Sequence, residues 1–163
     1  AAGVGTLSTH ELVRETWEQA RGLALARLSP SDGAMLTRLI ERFLADDANF
    51  AGPSRLLYAD FAPEHILYDQ ASQRIAGIID WGDLAIGDPD YDLTYLYQDY
   101  GAPFVQRLLT YLPHPDPARL FAKLGVFSAT DYLHDLAQAQ ADTTVDDLTE
   151  TLDGLRDVLT GPD

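Results

Sequence analysis

The chain has 163 residues, enough for one domain that buries roughly 70% of its unfolded surface, and its 46% apolar and 23% charged content is that of a globular protein. A net charge of −15 argues against nucleic acid and anionic membranes as partners, since both need basic patches. With no cysteine it has neither a disulfide framework nor a thiolate metal site. No apolar run approaches the ~20 residues of a membrane helix, and Ala1–Thr6 lacks the basic start of a signal peptide, so a cytoplasmic location is expected.

Ser8-Thr9-His10-Glu11 has the form of a capping box and predicts a helix to about Leu28, with Leu12, Trp17, Ala20, Leu23 and Ala24 as its apolar stripe. Ser29-Pro30-Ser31-Asp32-Gly33 breaks it, and a second helix follows over about Asp32–Ala45. The period then changes. Arg55–Tyr58 reads as a short strand, and Ile66–Tyr68 and Arg74–Ile79 as two strands joined by the polar turn Asp69–Gln73. Antiparallel pairing of those two would bring His65, before the first, and Asp80, after the second, to the same end. Helices are expected from Asp90 to about Tyr100, through Phe104–Leu112, and from Asp116-Pro117 to about Gln140, with Asp116 as N-cap. The last, from about Thr144, aligns Val145, Leu148, Leu152, Leu155 and Leu159; two heptads are too few to favour a dimer seam over packing on its own domain. The fold class is therefore α+β and mostly helical, a single unit over 1–163 with a small β-hairpin.

Twenty of the 26 acids are Asp, and Asp80, Asp83, Asp88, Asp90, Asp92 and Asp99 crowd one segment. Solubility explains a chain-wide excess; for this cluster, a site for a cationic ligand is the stronger reading. Within Leu57–Leu67 and Ile78–Asp83, Asp60 is followed five residues on by His65, and Asp80 ends an apolar strand before Trp81-Gly82. The order and spacing match the kinase pattern in which one Asp accepts the proton of the attacking hydroxyl, an Asn ligates metal and the Asp of D-F-G ligates it again. Asp60 takes the base position, His65 the Asn position and Asp80 the second ligand position. Imidazole suits magnesium less well than an Asn carbonyl, so His65 is expected to ligate directly, hold a metal water or orient Asp60. Trp81 is expected to pack beneath the site. Asp83 and, after it, Asp99 are candidates for substrate binding, Asp99 and Asp92 falling seven apart on one helix. Asp88, before Pro89, is expected to accept backbone amides and support the catalytic loop.

The segments Asp60-x-x-x-x-His65 and Ile79-Asp80-Trp81-Gly82-Asp83-x-x-Ile86-Gly87-Asp88-Pro89-x-Tyr91-Asp92-Leu93 resemble the signature of the aminoglycoside phosphotransferase family, the antibiotic-kinase branch of the protein-kinase-like fold. Close resemblance covers about Leu56–Tyr97. His at the Asn position, with twenty residues from base to second Asp, is similar to the 2″-aminoglycoside and the macrolide phosphotransferases. The resemblance implies a C-terminal, helical lobe in which Asp60 is the catalytic base, His65 and Asp80 hold Mg2+, ATP or GTP is the donor, and acids around the pocket bind the amines of an aminoglycoside. Two departures stand out. Tyr58-Ala59 replaces the usual His-Gly before the catalytic Asp, and Gln98 stands where 2″-type relatives tend to carry an acid.

The family's N-terminal nucleotide-binding lobe has a phosphate-covering loop and a Lys that pairs with the phosphates. Nothing here corresponds, the single lysine being Lys123. The chain is thus expected to be a fragment, inactive alone, with a face open to self-association. Alternatives are a macrolide or small-metabolite kinase, a metal-dependent hydrolase, or a truncated pseudokinase-like binding module.

Overall fold

The computed structural model describes residues 3–139 and 145–160. In chain order it contains β1 (Gly5–Thr6), α1 (Thr9–Leu25), α2 (Pro30–Leu44), β2 (Arg55–Leu57), β3 (Ile66–Asp69), β4 (Arg74–Ile78), β5 (Ala85–Gly87), α3 (Thr94–Leu108), α4 (Pro117–Gln138) and α5 (Val145–Thr160), with single 3-10 turns at Asp47–Asn49, Pro63–His65 and Pro89–Leu93. Helices dominate, as the periodicity implied.

Ser8 caps α1 through its hydroxyl, which accepts the Glu11 amide at 3.3 Å. The helix stops at Leu25, short of the expected Leu28: the Arg27 and Leu28 amides both fold onto the Ala24 carbonyl, and the residue before Pro30 is driven out of the helical region. Ser29 sits there extended, and its hydroxyl takes the Asp32 amide, so α2 begins at Pro30 and not at Asp32. Asp116 caps α4 in the same way, with Pro117 in its first turn.

The core lies where α1 and α5 pack on α4, with α2 alongside. Val13, Trp17, Ala20, Leu36, Ile40, Phe43, Phe127, Leu133 and Leu155 are buried there. Each large side chain of this set stabilises the fold by about 1.5–3 kcal/mol. Leu148, Leu152 and Leu159 also lie against this core, so the apolar stripe of α5 packs on its own domain. Thr144 and the side chain of Val145 lie outside the described residues. Edge-to-face rings run from Phe50 through Phe43 and Phe127 to Tyr91, carrying the core out to the strands.

The strands form two small sheets. β3 and β4 pair antiparallel, Ile66 opposite Ile78 and Asp69 opposite Arg74, with a register shift between Leu67 and Tyr68. The Ile79 amide then donates to the His65 carbonyl at 3.0 Å, extending the pairing to the site. The second sheet, β1-β5-β2, was not foreseen. Strands of two or three residues carry too little alternation to read. β5 runs parallel to β1 and antiparallel to β2.

Two further differences bear on the site. The stretch after Gly87 begins as a 3-10 turn rather than a helix, capped by the Asp88 carboxylate on the Asp90 amide at 3.1 Å. Helix α3 breaks at Gly101 (φ +74°), where the sequence suggested two separate helices. Among the described residues no helix is long and apolar enough to cross a membrane.

Gly87 is where β5 meets the entry to α1. A Cβ there would lie 2.7 Å from the Leu7 carbonyl oxygen and 2.9 Å from Leu57 Cδ1. Gly87→Ala is expected to destabilise the fold by about 1–3 kcal/mol through displaced backbone, read as a lower urea midpoint at unchanged slope.

Candidate active site

Asp60 follows β2 and Asp80 follows β4, and the hairpin pairing sets His65 between them. His65 Nδ1 lies 2.9 Å from the Asp60 carbonyl oxygen and 3.5 Å from its Oδ2, while Nε2 faces Asp80 Oδ2 at 3.9 Å. The Nδ1 proton donated to the carbonyl leaves the Nε2 lone pair on the Asp80 side, the tautomer a metal ligand needs. Asp60 and His65 are half-buried and the Asp80 carboxylate is exposed.

Both carboxylates sit at unusual backbone positions. Asp80 has φ +61° and Ala59, directly before Asp60, has φ +68°. A left-handed conformation costs a non-glycine residue roughly 1–2 kcal/mol, and it persists where the surroundings hold it. At Ala59 the holding group is Asp92, whose two carboxylate oxygens accept the Tyr58 amide at 3.1 Å and the Ala59 amide at 2.8 Å. At Asp80 it is the Tyr58 hydroxyl, which donates to the Ile79 carbonyl. Burial first, then the charges of Asp80, Asp60 and Asp83, push the Tyr58 pKa up, so the phenol keeps its proton and stays a donor. Tyr58 thus spans the Asp60 loop and the Asp80 loop.

A recess of about 300 Å³ opens beside Asp60, lined by Leu7, Ala59, Asp60, Asp83, Ala85, Tyr91 and Tyr95. Its walls include no lysine or arginine. Burial, with Asp131, Asp60 and Asp92 nearby, pushes the Tyr91 hydroxyl up to about 12, and Tyr95 moves in the same direction. On α4, burial raises the Asp131 carboxyl, a shift opposed by the Gln98 amide donating to it at 3.2 Å and aided by Asp135.

Among the described residues no three His, Asp or Glu side chains converge on one cation position. His65 Nε2 and the Asp80 carboxylate are two donors on one side of Asp60; Mg2+ takes one or two carboxylates when phosphate oxygens and water complete its shell, so Asp80 is the favoured ligand and His65 the weaker one. That donor set fits a nucleotide-bound magnesium and not a self-sufficient structural metal.

A family model described as "Phosphotransferase enzyme family" (APH) matches residues 6–122. The chain belongs to this phosphotransferase family. It superposes on the GDP and kanamycin complex of APH(2")-IIia with a TM-score of 0.87 at 26% identity, covering 97% of this chain and 54% of that one. The viomycin phosphotransferase of Streptomyces vinaceus is 28% identical over 108 residues, 63% of this chain and 36% of that protein. An uncharacterized Bacillus subtilis protein, YcbJ, is 33% identical over 84 residues, 52% of this chain and 27% of its own length. The chain therefore spans about half the length of the solved structure and less of these two relatives. Its fold is that of the C-terminal lobe of a kinase-like aminoglycoside phosphotransferase.

Within that phosphotransferase frame, the expected residues fall as follows. Asp60, His65 and Asp80 come together, and Asp83 lines the recess. Asp99 does not line it; burial and Glu64 raise its pKa on the exposed side of α3. Asp92 lies in the 3-10 turn and shares no helix face with Asp99. The loop amides expected of Asp88 are held by Asp92, while Asp88 bonds Lys123 and the Asp90 amide. Trp81 is 54% exposed and not beneath the site. Its indole N–H donates to the Ile78 carbonyl and one face meets the edge of Tyr58, which is the buried ring there.

Ala59 occupies the position where the family resemblance expects glycine, and its positive φ states why glycine suits it. Tyr91 reads in the sequence only as part of the family-like signature, with no place at the site, and Tyr95 and Asp131 escaped the sequence reading. Further signals were an i,i+4 tyrosine pair, Tyr91 and Tyr95, and an i,i+4 Asp131–Asp135 pair on α4.

The hydrogen bond to the Asp60 carbonyl raises the His65 pKa above 6.5, against burial and with help from Asp60, Asp80 and Glu64. Protonated imidazole is favoured in the metal-free fold, so that stabilisation is present in acid and fades as pH rises through the raised pKa. Ligation of a metal by the neutral imidazole would have the opposite sign and would be lost as pH falls through it. His65→Asn, which supplies a carbonyl oxygen without a titrating nitrogen, is expected to move the acid limb of the Mg2+-dependent rate to lower pH. A kcat/KM profile over pH ~5.5–8 checks this.

Proposed function

We propose that this chain is the acceptor-binding, catalytic lobe of a nucleotide- and Mg2+-dependent kinase that phosphorylates a hydroxyl of a cationic small molecule of aminoglycoside type. The observation that carries the reading is the placement of Asp60 and Asp80 on either side of His65, with Asp60 lining a recess walled by carboxylates and phenols.

Asp60 accepts the proton of the attacking hydroxyl, and its half-buried position beside the recess places its carboxylate where an acceptor can reach it. His65 and Asp80 would hold Mg2+, which when bound neutralises charge on the donor phosphates. Tyr58 and Asp92 hold these two loops in register. Asp83, with Asp131 behind Tyr91 and Tyr95, offers negative charge to substrate amines. The donor is ATP or GTP; the related APH(2")-IIia was solved with GDP and kanamycin.

Ile75, Ile79, Leu67 and Trp81 are exposed apolar residues of the hairpin and its exit. Surface of this kind marks an interaction face. A strand-rich lobe that grips the nucleotide, outside these 163 residues, would cover it, and the isolated chain would then transfer little or no phosphate. Gln98 speaks for an acceptor other than kanamycin, because its amide engages Asp131, the carboxylate whose charge acts most on Tyr91 and Tyr95, where an acid would add charge.

In the full-length protein, Asp60→Asn is expected to lower kcat by at least ~10²-fold with little change in the melting temperature. Mass spectrometry of acceptor panels incubated with ATP or GTP reads the product. A full-length protein that transfers no phosphate to any hydroxyl acceptor would favour a binding module, and an active Asp60→Asn would remove the assigned base.

A further inference from the structure

Lys123, the single lysine of the chain, lies on α4 one residue beyond the family-matched stretch and is only 4% exposed. Its Nζ is 2.6 Å from Asp88 Oδ2 and 2.8 Å from Asp90 Oδ2. The other oxygen of Asp90 accepts from His114 Nε2 at 3.1 Å, and the Asp116 amide donates to His114 Nδ1, which places the imidazole proton on Nε2. Burial works against the ammonium, but hydrogen bonds and charge from Asp88 and Asp90 outweigh it and raise the Lys123 pKa. A buried ion cluster of this kind costs desolvation and is weak evidence for stability as such. Its position is more informative.

Asp88 and Asp90 bracket Pro89 at the start of the 3-10 turn. Asp88 caps that turn on the Asp90 amide, and Thr94 Oγ1 closes its far end on the Tyr91 carbonyl. Two residues after Asp90 comes Asp92, the acceptor of the Tyr58 and Ala59 amides. Each link in this path from α4 to the residue before Asp60 is thus a hydrogen bond or one turn of backbone. The same turn also packs on α4 through Tyr91 against Phe127 and Leu93 beside Leu120 and Leu124, but the amides of Tyr58 and Ala59 are reached through the polar links.

We propose that Lys123 is a positioning residue for the base loop: by fixing Asp88 and Asp90 it sets the 3-10 turn so that the Asp92 carboxylate reaches both amides and holds Ala59 in its left-handed conformation. Only the kinetic consequence rests on Asp60 as the base; the structural consequence stands apart from it.

The test uses the full-length protein with Lys123→Met, and a triple variant Lys123→Met/Asp88→Asn/Asp90→Asn that leaves no orphaned carboxylate. Amide hydrogen exchange at Tyr58 and Ala59 should speed up at least ~10-fold in both, while the amides of α1 keep their protection. kcat should fall at least ~10-fold in both, with KM for nucleotide within about twofold. The triple variant should regain melting temperature without regaining kcat, a split that a merely structural lysine would not produce. Should Lys123→Met fail to fold, the triple variant carries both readouts. Unchanged exchange at Tyr58 and Ala59 in a folded variant, or joint recovery of stability and kcat in the triple variant, would overturn the proposal. A wild-type protein without transferase activity removes the proposed function, and the exchange data still decide the role of Lys123.

Discussion

Two hydrogen bonds from one carboxylate organise the site. Asp92 accepts the amides of Tyr58 and Ala59, residues that are 34 and 33 positions away in the chain. Charge-assisted bonds of this type contribute roughly 1.5–3 kcal/mol each, which matches or exceeds the ~1–2 kcal/mol that a left-handed alanine costs. Without them Ala59 would relax to an ordinary conformation and the peptide carrying Asp60 would rotate. The aromatic edge contacts of Tyr58 with Phe61 and Trp81, and its hydroxyl on the Ile79 carbonyl, pass that constraint on to Asp80. The helical core supports the arrangement from behind, through Tyr91 against Phe127.

The electrostatics have one sign. Asp60 and Asp83 line a recess that also feels Asp131, Asp80 lies across His65 from Asp60, and His65 is the one group among them that can carry positive charge. Assembling carboxylates without counter-charge raises the energy of the empty site and lowers that of any cation that enters it. The −15 net charge of the chain extends the same field outward. By contrast, the Lys123 cluster has its own cation and is closed to solvent. Acids that support the loop are satisfied internally, and acids that face the recess are left for ligands.

The legible part of the site was the part that local sequence encodes. Asp60, His65 and Asp80 are brought together by a hairpin whose strands are short apolar runs and whose turn is polar, and both features show in the letters. Asp116-Pro117 announced a helix start, whereas Ser29-Pro30 reads as part of a breaker and in fact caps and opens α2 two residues before the expected Asp32. What stayed hidden depends on pairings with no period. Asp92 sits in a 3-10 turn, where 3.6-residue spacing assigns the wrong neighbours, so its link to Tyr58 could not be read. The β1–β5 pairing joins fragments 80 residues apart that are too short to alternate. Asp88 was singled out for its place before Pro89, but its partner Lys123 lies 35 residues on, across a break between helices. Trp81 looked like a core residue by type; its indole is satisfied by the neighbouring Ile78 carbonyl, which lets the ring face outward.

The most direct measurement is the crystal structure and kcat of the full-length protein carrying Asp92→Ala. Loss of both acceptors should release the Ala59 peptide from positive φ, shift the Asp60 carboxylate away from His65 and lower kcat by at least ~10-fold, with α1, α4 and the hairpin unmoved. An Asp92→Ala protein with Ala59 still left-handed and kcat intact would contradict the claim that this carboxylate sets the catalytic loop.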